Sequence, residues 1–300
     1  MPVMLEPPPI LAPSLLPNGL LIPPALRGDE APILAEASKE GYRRYRSPRT
    51  GKMLPSVTTL LGQVSEYYLD RWRANQIADA VLDRVTSGAW DNDVQTLGQA
   101  KARAALDRQI GQYLTRAADR GGLVHSWIEA DAARECGYDI PYPELEAQHR
   151  PFIQAYQVWR RGHHVRWLAL ECTAINDTMG YAGTADALAE IDGVPSIMDY
   201  KTSKKLKTQV AAQLRALSKA EYLVGGDGKL YQLPPIYDHV ALLLCNDGSH
   251  LPQVIEEVDA AYEMFLGLLR VWDFNRNARL GSRFLRPQAN LMASQGPAGP

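Results

Sequence analysis

Hydrophobic and polar positions change their spacing twice along this chain. From 57 to about 133 the apolar residues recur at helical intervals, as in Leu60, Leu61, Val64 and then Leu69, Trp72, Ile77 and Val81. A further helix is predicted around 152–161. Strand-like runs follow at 165–174, 181–191 and 194–202, with a helix at about 208–224 interrupting them. Strand character returns at 236–245 and 253–258 before a last helix over 260–280. Helices first, then strands with an inserted helix, predict an α/β fold: a central mixed β-sheet with flanking helices and a helical N-terminal half. Residues 1–35 are proline-rich without periodicity and read as an extended leader, either flexible or strapped along the body. Residues 286–300, rich in Gly, Pro, Ser and Ala, read as a disordered tail, which leaves 36–285 as a single domain.

Composition narrows the function. A hydrophobic fraction of 46% and a charged fraction of 22% are those of an ordinary globular domain. The net charge of -2 excludes coating nucleic acid by bulk attraction, so any DNA contact needs local basic patches. Cys136, Cys172 and Cys245 are odd in number, far apart and without a CxxC pair. They predict small buried side chains in a reducing compartment, with neither a disulfide framework nor a cysteine-built zinc or iron–sulfur site. The proline-broken N-terminus lacks the pattern of a signal peptide, and no apolar run is long enough to span a bilayer, so a soluble cytoplasmic protein without a membrane partner is expected. No Gly-x-x-x-x-Gly-Lys-Ser/Thr phosphate loop occurs, hence no ATP motor. The expected companions are none, or a separately encoded helicase or single-strand annealing protein. Nothing in the pattern chooses an oligomeric state.

The chemistry concentrates in one hairpin. Gly183-Thr184-Ala185-Asp186 is followed by Ile191-Asp192-Gly193-Val194 and then Ile197-Met198-Asp199-Tyr200-Lys201-Thr202. Asp-Gly between strand-like runs predicts a type I′ turn, whose two central residues need positive φ. With Asp192 and Gly193 in the loop, Ile191 faces Val194, and the same register sets Asp186 opposite Asp199. Like charges facing each other roughly 5 Å apart at Cβ are destabilising. They call for a cation, or for one carboxyl to stay protonated. Mg²⁺ or Mn²⁺, which prefer carboxylate and carbonyl oxygens, meet that need, with the Tyr200 backbone carbonyl as a further ligand. Lys201, two residues on, shares the face of Asp199 and can hold or help deprotonate a water in line with a phosphodiester. Asp-x-Lys alone is more often a solvated strand face with a weak ion pair. The opposed Asp186 is what lifts it above that, and a one-residue slip in register would undo the geometry.

These residues resemble the PD-(D/E)XK nuclease superfamily, in its RecB-like, phage-type exonuclease branch. Leu54-Pro55-Ser56-Val57-Thr58-Thr59-Leu60-Leu61 is similar to the branch's opening segment and Leu69-x-x-Trp72 to the helix after it. Gly121-Gly122-Leu123-Val124-His125 is similar to its Gly-x-x-x-His helix, and Tyr181 to Asp186 with Asp199 to Ser203 to its two core motifs. The resemblance spans about 56–258. It implies that His125, Asp186 and Asp199 bind the metal, that Lys201 assists the attacking water, and that the chain is a DNA exonuclease acting on linear DNA in recombination, repair or phage DNA processing. Read without that company, His125 beside Val124, Trp127 and Ile128 is as often a core histidine. The family's Gln-x-x-x-Tyr is only half present: Gln213 stands, but Leu217 replaces the tyrosine. Glu129 and Glu171 read as a solvated helix position and a strand residue elsewhere.

Basic clusters supply candidate DNA contacts. Lys204, Lys205 and Lys207 follow the lysine strand directly, where they could grip phosphates near the cut, with Gln213 beyond them. Arg43, Arg44 and Arg46 interleave with Tyr42 and Tyr45, as in surfaces that track a strand. Arg160 and Arg161 read as a solvated face. Nothing here reads bases, so little sequence preference is expected. The competing interpretations are a DNA-binding or interaction module on the same fold without turnover, and a different metal-dependent hydrolase.

Overall fold

The computed structural model describes residues 7–24, 35–38, 42–64 and 67–277, and in the helices it leaves out the side chains of 67–73, 76 and 109–120. The predicted tail at 286–300 and the side chains of Leu69 and Trp72 lie outside the described residues.

Two strands absent from the sequence reading open the chain, β1 (Ile10–Leu11) and β2 (Ala35–Ala37), followed by β3 (Arg43–Arg46) and β4 (Met53–Pro55). The last three form a small antiparallel sheet, too short for alternation to reveal. Ser56 caps α1 (Val57–Leu61) by accepting from Thr59 N–H at 2.9 Å. The predicted helical region then divides into α2 (Tyr67–Thr86), α3 (Ala89–Leu97) and α4 (Gln99–Glu135). Helix α5 (Arg150–Gly162), with a proline in its first turn, buries Phe152, Ile153, Ala155, Tyr156 and Trp159 along one face.

The long strands β5 (Val165–Asn176), β6 (Tyr181–Ile191) and β7 (Val194–Lys201) match the predicted runs. Helix α6 is shorter than expected, Gln209–Ser218. Residues Tyr222–Val224 form strand β8 instead, fully buried and paired with β5, because three apolar residues of high β-propensity gain more from the sheet than from another helical turn. Strand β9 (Leu230–Tyr231), β10 (Asp238–Leu244), β11 (His250–Val254) and α7 (Val258–Asn277) complete the chain.

Among the described residues the main sheet has eight strands in the order β1-β9-β8-β5-β6-β7-β10-β11. It is mixed: β7 runs parallel to β10 and β1 to β9, with the other pairs antiparallel. Helices cover both faces. Val57, Leu60, Val210, Leu214, Leu217, Phe265 and Leu269 of α1, α6 and α7 pack on one. Val124, Ile128, Tyr156 and Trp159 of α4 and α5 pack on the other. The described part of the leader is a strap: Leu20 is buried in the second core and Ile22 in the first, and Leu21 and Ile22 both donate to the Leu168 carbonyl. Among the described residues no helix is long and apolar enough to cross a membrane.

Candidate active site

The β6–β7 turn has the conformation that its two loop residues require, with φ +49° at Asp192 and +89° at Gly193. Ile191 faces Val194, and the ladder runs on to Ala187 opposite Met198. The next step of that register sets Asp186 against Asp199, and there the strands part. Asp186 Oδ2 accepts the Tyr200 N–H at 2.8 Å, replacing a ladder bond with a side chain. Because strand N–H groups point sideways, this carboxylate lies in the plane of the sheet, inside the fork.

A backbone irregularity prepares the fork. Residues two apart on a strand share a face, yet Cys172 and Ala185 face the α6 side while Leu170 and Ala187 face the α4 side. Both strands therefore switch faces at the residue between, Glu171 on β5 and its register neighbour Asp186 on β6. Glu171 takes φ +44°, a left-handed conformation that a strand residue adopts only where something else enforces it. Sequence reading placed Glu171 away from the site; the register brings it beside Asp186. The apolar run Trp167–Leu170, buried throughout, carries no alternation that would reveal the displacement.

The remaining groups enter the fork from both faces. Asp199, 2% exposed, points to the α6 side with Ile197. Lys201 pairs with Asp199 Oδ2, and Gln213 on α6 donates to Asp199 Oδ1 at 2.7 Å while its Oε1 accepts from Lys201 Nζ at 3.4 Å. From the other face, α4 brings His125 Nδ1 to 3.4 Å from Asp186 Oδ2, its ring edge-on to Tyr200. Tyr200 packs in turn against Tyr156. A Cβ at Gly121 would sit 3.4 Å from Thr202 Oγ1, so the helix runs close to the end of β7.

Electrostatics follow from this crowding. Burial pulls the His125 pKa down, but the charge and hydrogen bond of Asp186 and the charge of Asp199 outweigh it and raise it to about 9. Burial works against the Asp186 anion too, and the His125 charge, Lys201 and the Tyr200 N–H hold it below the usual carboxylate range. Asp199 is pushed up by burial and by its neighbour Asp186, against the pull of Lys201. Lys201 resists its own burial through the two carboxylates and stays raised. Both protein cations, His125 and Lys201, are therefore protonated at neutral pH.

The chemistry of the donors suits a hard divalent cation, since two carboxylates converge in one fork. Among the described residues no group of three or more His, Cys, Asp or Glu side chains is placed to cage an ion. The expected set of His125, Asp186 and Asp199 is therefore not assembled as a three-residue cage. As a ligand, His125 would first have to give up its proton and its contact with Asp186.

The candidate DNA contacts divide. On β3, Arg43 and Tyr45 share one face: Arg43 Nη2 donates to Thr184 Oγ1 at 3.4 Å, and the Tyr45 hydroxyl lies 2.9 Å from the same oxygen. Thr184, two residues before Asp186, drew no notice in the sequence. Arg44 and Arg46 occupy the opposite face, where Arg46 pairs with Glu36 at 3.2 Å. Lys204 and Lys205 are exposed on the loop after β7, and Lys207 is half-buried there. Gln213, expected among the DNA contacts, spends its amide on Asp199 and Lys201.

Fold and site together define an α/β protein with a forked mixed sheet and an Asp–Asp–Lys cluster in the fork. No family model matches the chain, and no curated protein matches it. Among solved structures it is similar to an alkaline exonuclease from Laribacter hongkongensis at 16% identity, over 49% of this chain and 78% of that one, with a TM-score of 0.22. A likeness at that score carries no argument about activity.

Proposed function

We propose that the chain is a metal-dependent deoxyribonuclease that hydrolyses phosphodiester bonds in linear DNA, as an exonuclease. The observation that carries this reading is the pair of acids, half-buried Asp186 and buried Asp199, that come next after the last β6–β7 pair, where the strands part, with Lys201 beside them. Such an arrangement costs stability in a resting fold and is useful where a cation and a phosphate must meet.

Asp186 and Asp199 would hold a Mg²⁺ or Mn²⁺ ion, with the Tyr200 carbonyl within the same turn of backbone. Such an ion, when bound, lowers the pKa of a water and offsets charge on the phosphoryl oxygens. Lys201, kept as an ammonium by its two acidic neighbours, donates to the water or to the phosphate oxygen on which charge develops. Gln213 fixes the Asp199 carboxylate through Oδ1 and steadies Lys201. His125, 3.4 Å from Asp186, offsets the charge of that carboxylate and, as a neutral imidazole, would be a further candidate to hold the ion. Arg43, Lys204, Lys205 and Lys207 offer cationic contacts to the flanking phosphates. The family resemblance of the motifs supports roles in recombination, repair or phage DNA processing, alone or beside a separately encoded helicase or single-strand annealing protein.

The test is linear DNA labelled at either end, single- or double-stranded, incubated with the protein and Mg²⁺ or Mn²⁺ and separately with EDTA. Metal-dependent release of terminal label is the expected result, and the order of release gives the polarity. Folded protein that holds DNA under every condition and never cuts it would replace the proposal with a DNA-binding module on the same fold.

A further inference from the structure

A second cluster joins two ends of the chain that are far apart in sequence. Tyr42, just before β3, meets Trp272 of α7 edge-to-face with ring centroids 5.0 Å apart. The Arg276 guanidinium lies over both rings, 5.3 Å from each centroid, and its Nη1 donates to the Tyr42 hydroxyl. Both rings are half-buried, whereas Arg276 is exposed. One side of Trp272 packs against the core that also buries Phe265 and Leu269, and the remainder of the ring meets Tyr42, Arg276 and solvent.

Its location gives it a use. Tyr42 is followed by Arg43, whose guanidinium rests over the Tyr45 ring and reaches Thr184, two residues from Asp186. Two clusters of ring and guanidinium thus adjoin along the chain, and the second touches the strand that carries Asp186. A strand of unpaired nucleic acid is recognised by such an alternation: bases stack on aromatic and guanidinium planes while arginines meet the phosphates, without reading sequence. Duplex DNA offers no unstacked base for the Trp272–Arg276 surface.

We infer that Tyr42, Trp272 and Arg276 form a base-stacking subsite for an unpaired DNA strand, which runs from there past Arg43 to the fork. The inference rests on the nuclease reading for the direction of the strand, but not for the binding itself.

The experiment measures anisotropy of a fluorescein-labelled oligothymidylate of about 12 nucleotides with the full chain in EDTA, and cleavage of the same oligonucleotide by the wild type in Mn²⁺. Trp272→Ala should weaken binding about 5- to 150-fold, the worth of one base–aromatic stack, and Trp272→Phe should recover most of it. Arg276→Gln should weaken binding and flatten the dependence of log K on log salt by about 0.7. Phe274→Ala removes an exposed ring from nearly the opposite side of α7 and should change nothing. Thermal melts identify any variant that fails to fold, and where Trp272→Ala does so Arg276→Gln decides. If folded Trp272→Ala or folded Arg276→Gln binds as the wild type does, or if the wild type binds no single strand at all, the subsite is refuted, and wild-type cleavage of duplex would leave the nuclease reading standing. If Trp272→Ala loses binding while the wild type never cuts, the subsite stands and the nuclease reading falls.

Discussion

Gln213 donates its side-chain amide to Asp199 Oδ1 at 2.7 Å, so the acid on β7 is held from α6 as well as by Lys201 of its own strand. With Oδ2 met by Lys201, the carboxylate has one orientation, and Gln213 is a positioning residue for both members of the Asp-x-Lys pair. Gln213→Ala should lower kcat about 10- to 100-fold, as the loss of a group that orients a ligand does, with KM for DNA little changed. Steady-state kinetics check this, and a change confined to KM would make Gln213 a DNA contact instead.

Leu217 stands where the resembled family has tyrosine, and it fills space instead of reaching for substrate. A Cβ on Gly183 would sit 2.7 Å from Leu217 Cδ2 and 3.3 Å from Val57 Cγ2. Gly183→Ala should therefore cost about 1–3 kcal/mol through overpacking, and Leu217→Ala about 2–5 kcal/mol through the cavity it leaves. Together they should cost less than their sum, because the new methyl enters the space vacated by leucine. Denaturant unfolding of the two single variants and the double variant reads the coupling directly; strict additivity would contradict the contact.

His239 should govern part of the acid stability. It is 3% exposed on β10, and its Nε2 lies 2.8 Å from Ser218 Oγ, which itself donates to the Arg215 carbonyl. Burial first, and the Arg215 charge second, lower its pKa from 6.5 to about 4. The unfolded chain therefore takes up a proton at this residue before the folded one does. The resulting stability is complete above pH 6.5 and is lost as the pH falls from there to about 4, a loss of roughly 3 kcal/mol. Urea unfolding at about pH 7.5 and about pH 4.5 measures it. His239→Gln, which keeps a donor for Ser218, should show a smaller drop across that interval, and an equal drop would show that His239 does not control it.

Much of the site was legible in the sequence for a local reason. Asp192-Gly193 sets the turn, the turn sets the register, and the register sets Asp186 against Asp199, each step resting on neighbours within about a strand's length. Lys201 follows from strand alternation. His125 was legible only through its resemblance, since its approach to Asp186 depends on how α4 lies across the sheet. The face switch at Glu171 and Asp186 was not legible, because alternation read from sequence assumes an unbroken pleat. Nor was strand β8, where pairing with β5 overrides a run that continues the α6 pattern. The role of Thr184 became visible only when β3 was seen to carry Arg43 and Tyr45 over β6. The central mixed sheet with flanking helices was predicted; the small sheet of β2, β3 and β4 was not.

The central claim is that the two opposed acids of the fork carry out DNA hydrolysis. Single-turnover cleavage of end-labelled linear DNA in Mn²⁺, by the wild type and by Asp186→Asn and Asp199→Asn, tests it most directly. The substitutions keep shape and hydrogen bonding but remove the charge that would hold the ion. The account predicts metal-dependent cleavage by the wild type and a loss of at least about 1000-fold in each variant, the equivalent of roughly 4 kcal/mol of transition-state stabilisation. Cleavage that persists in both variants would mean that the fork is not the catalytic centre.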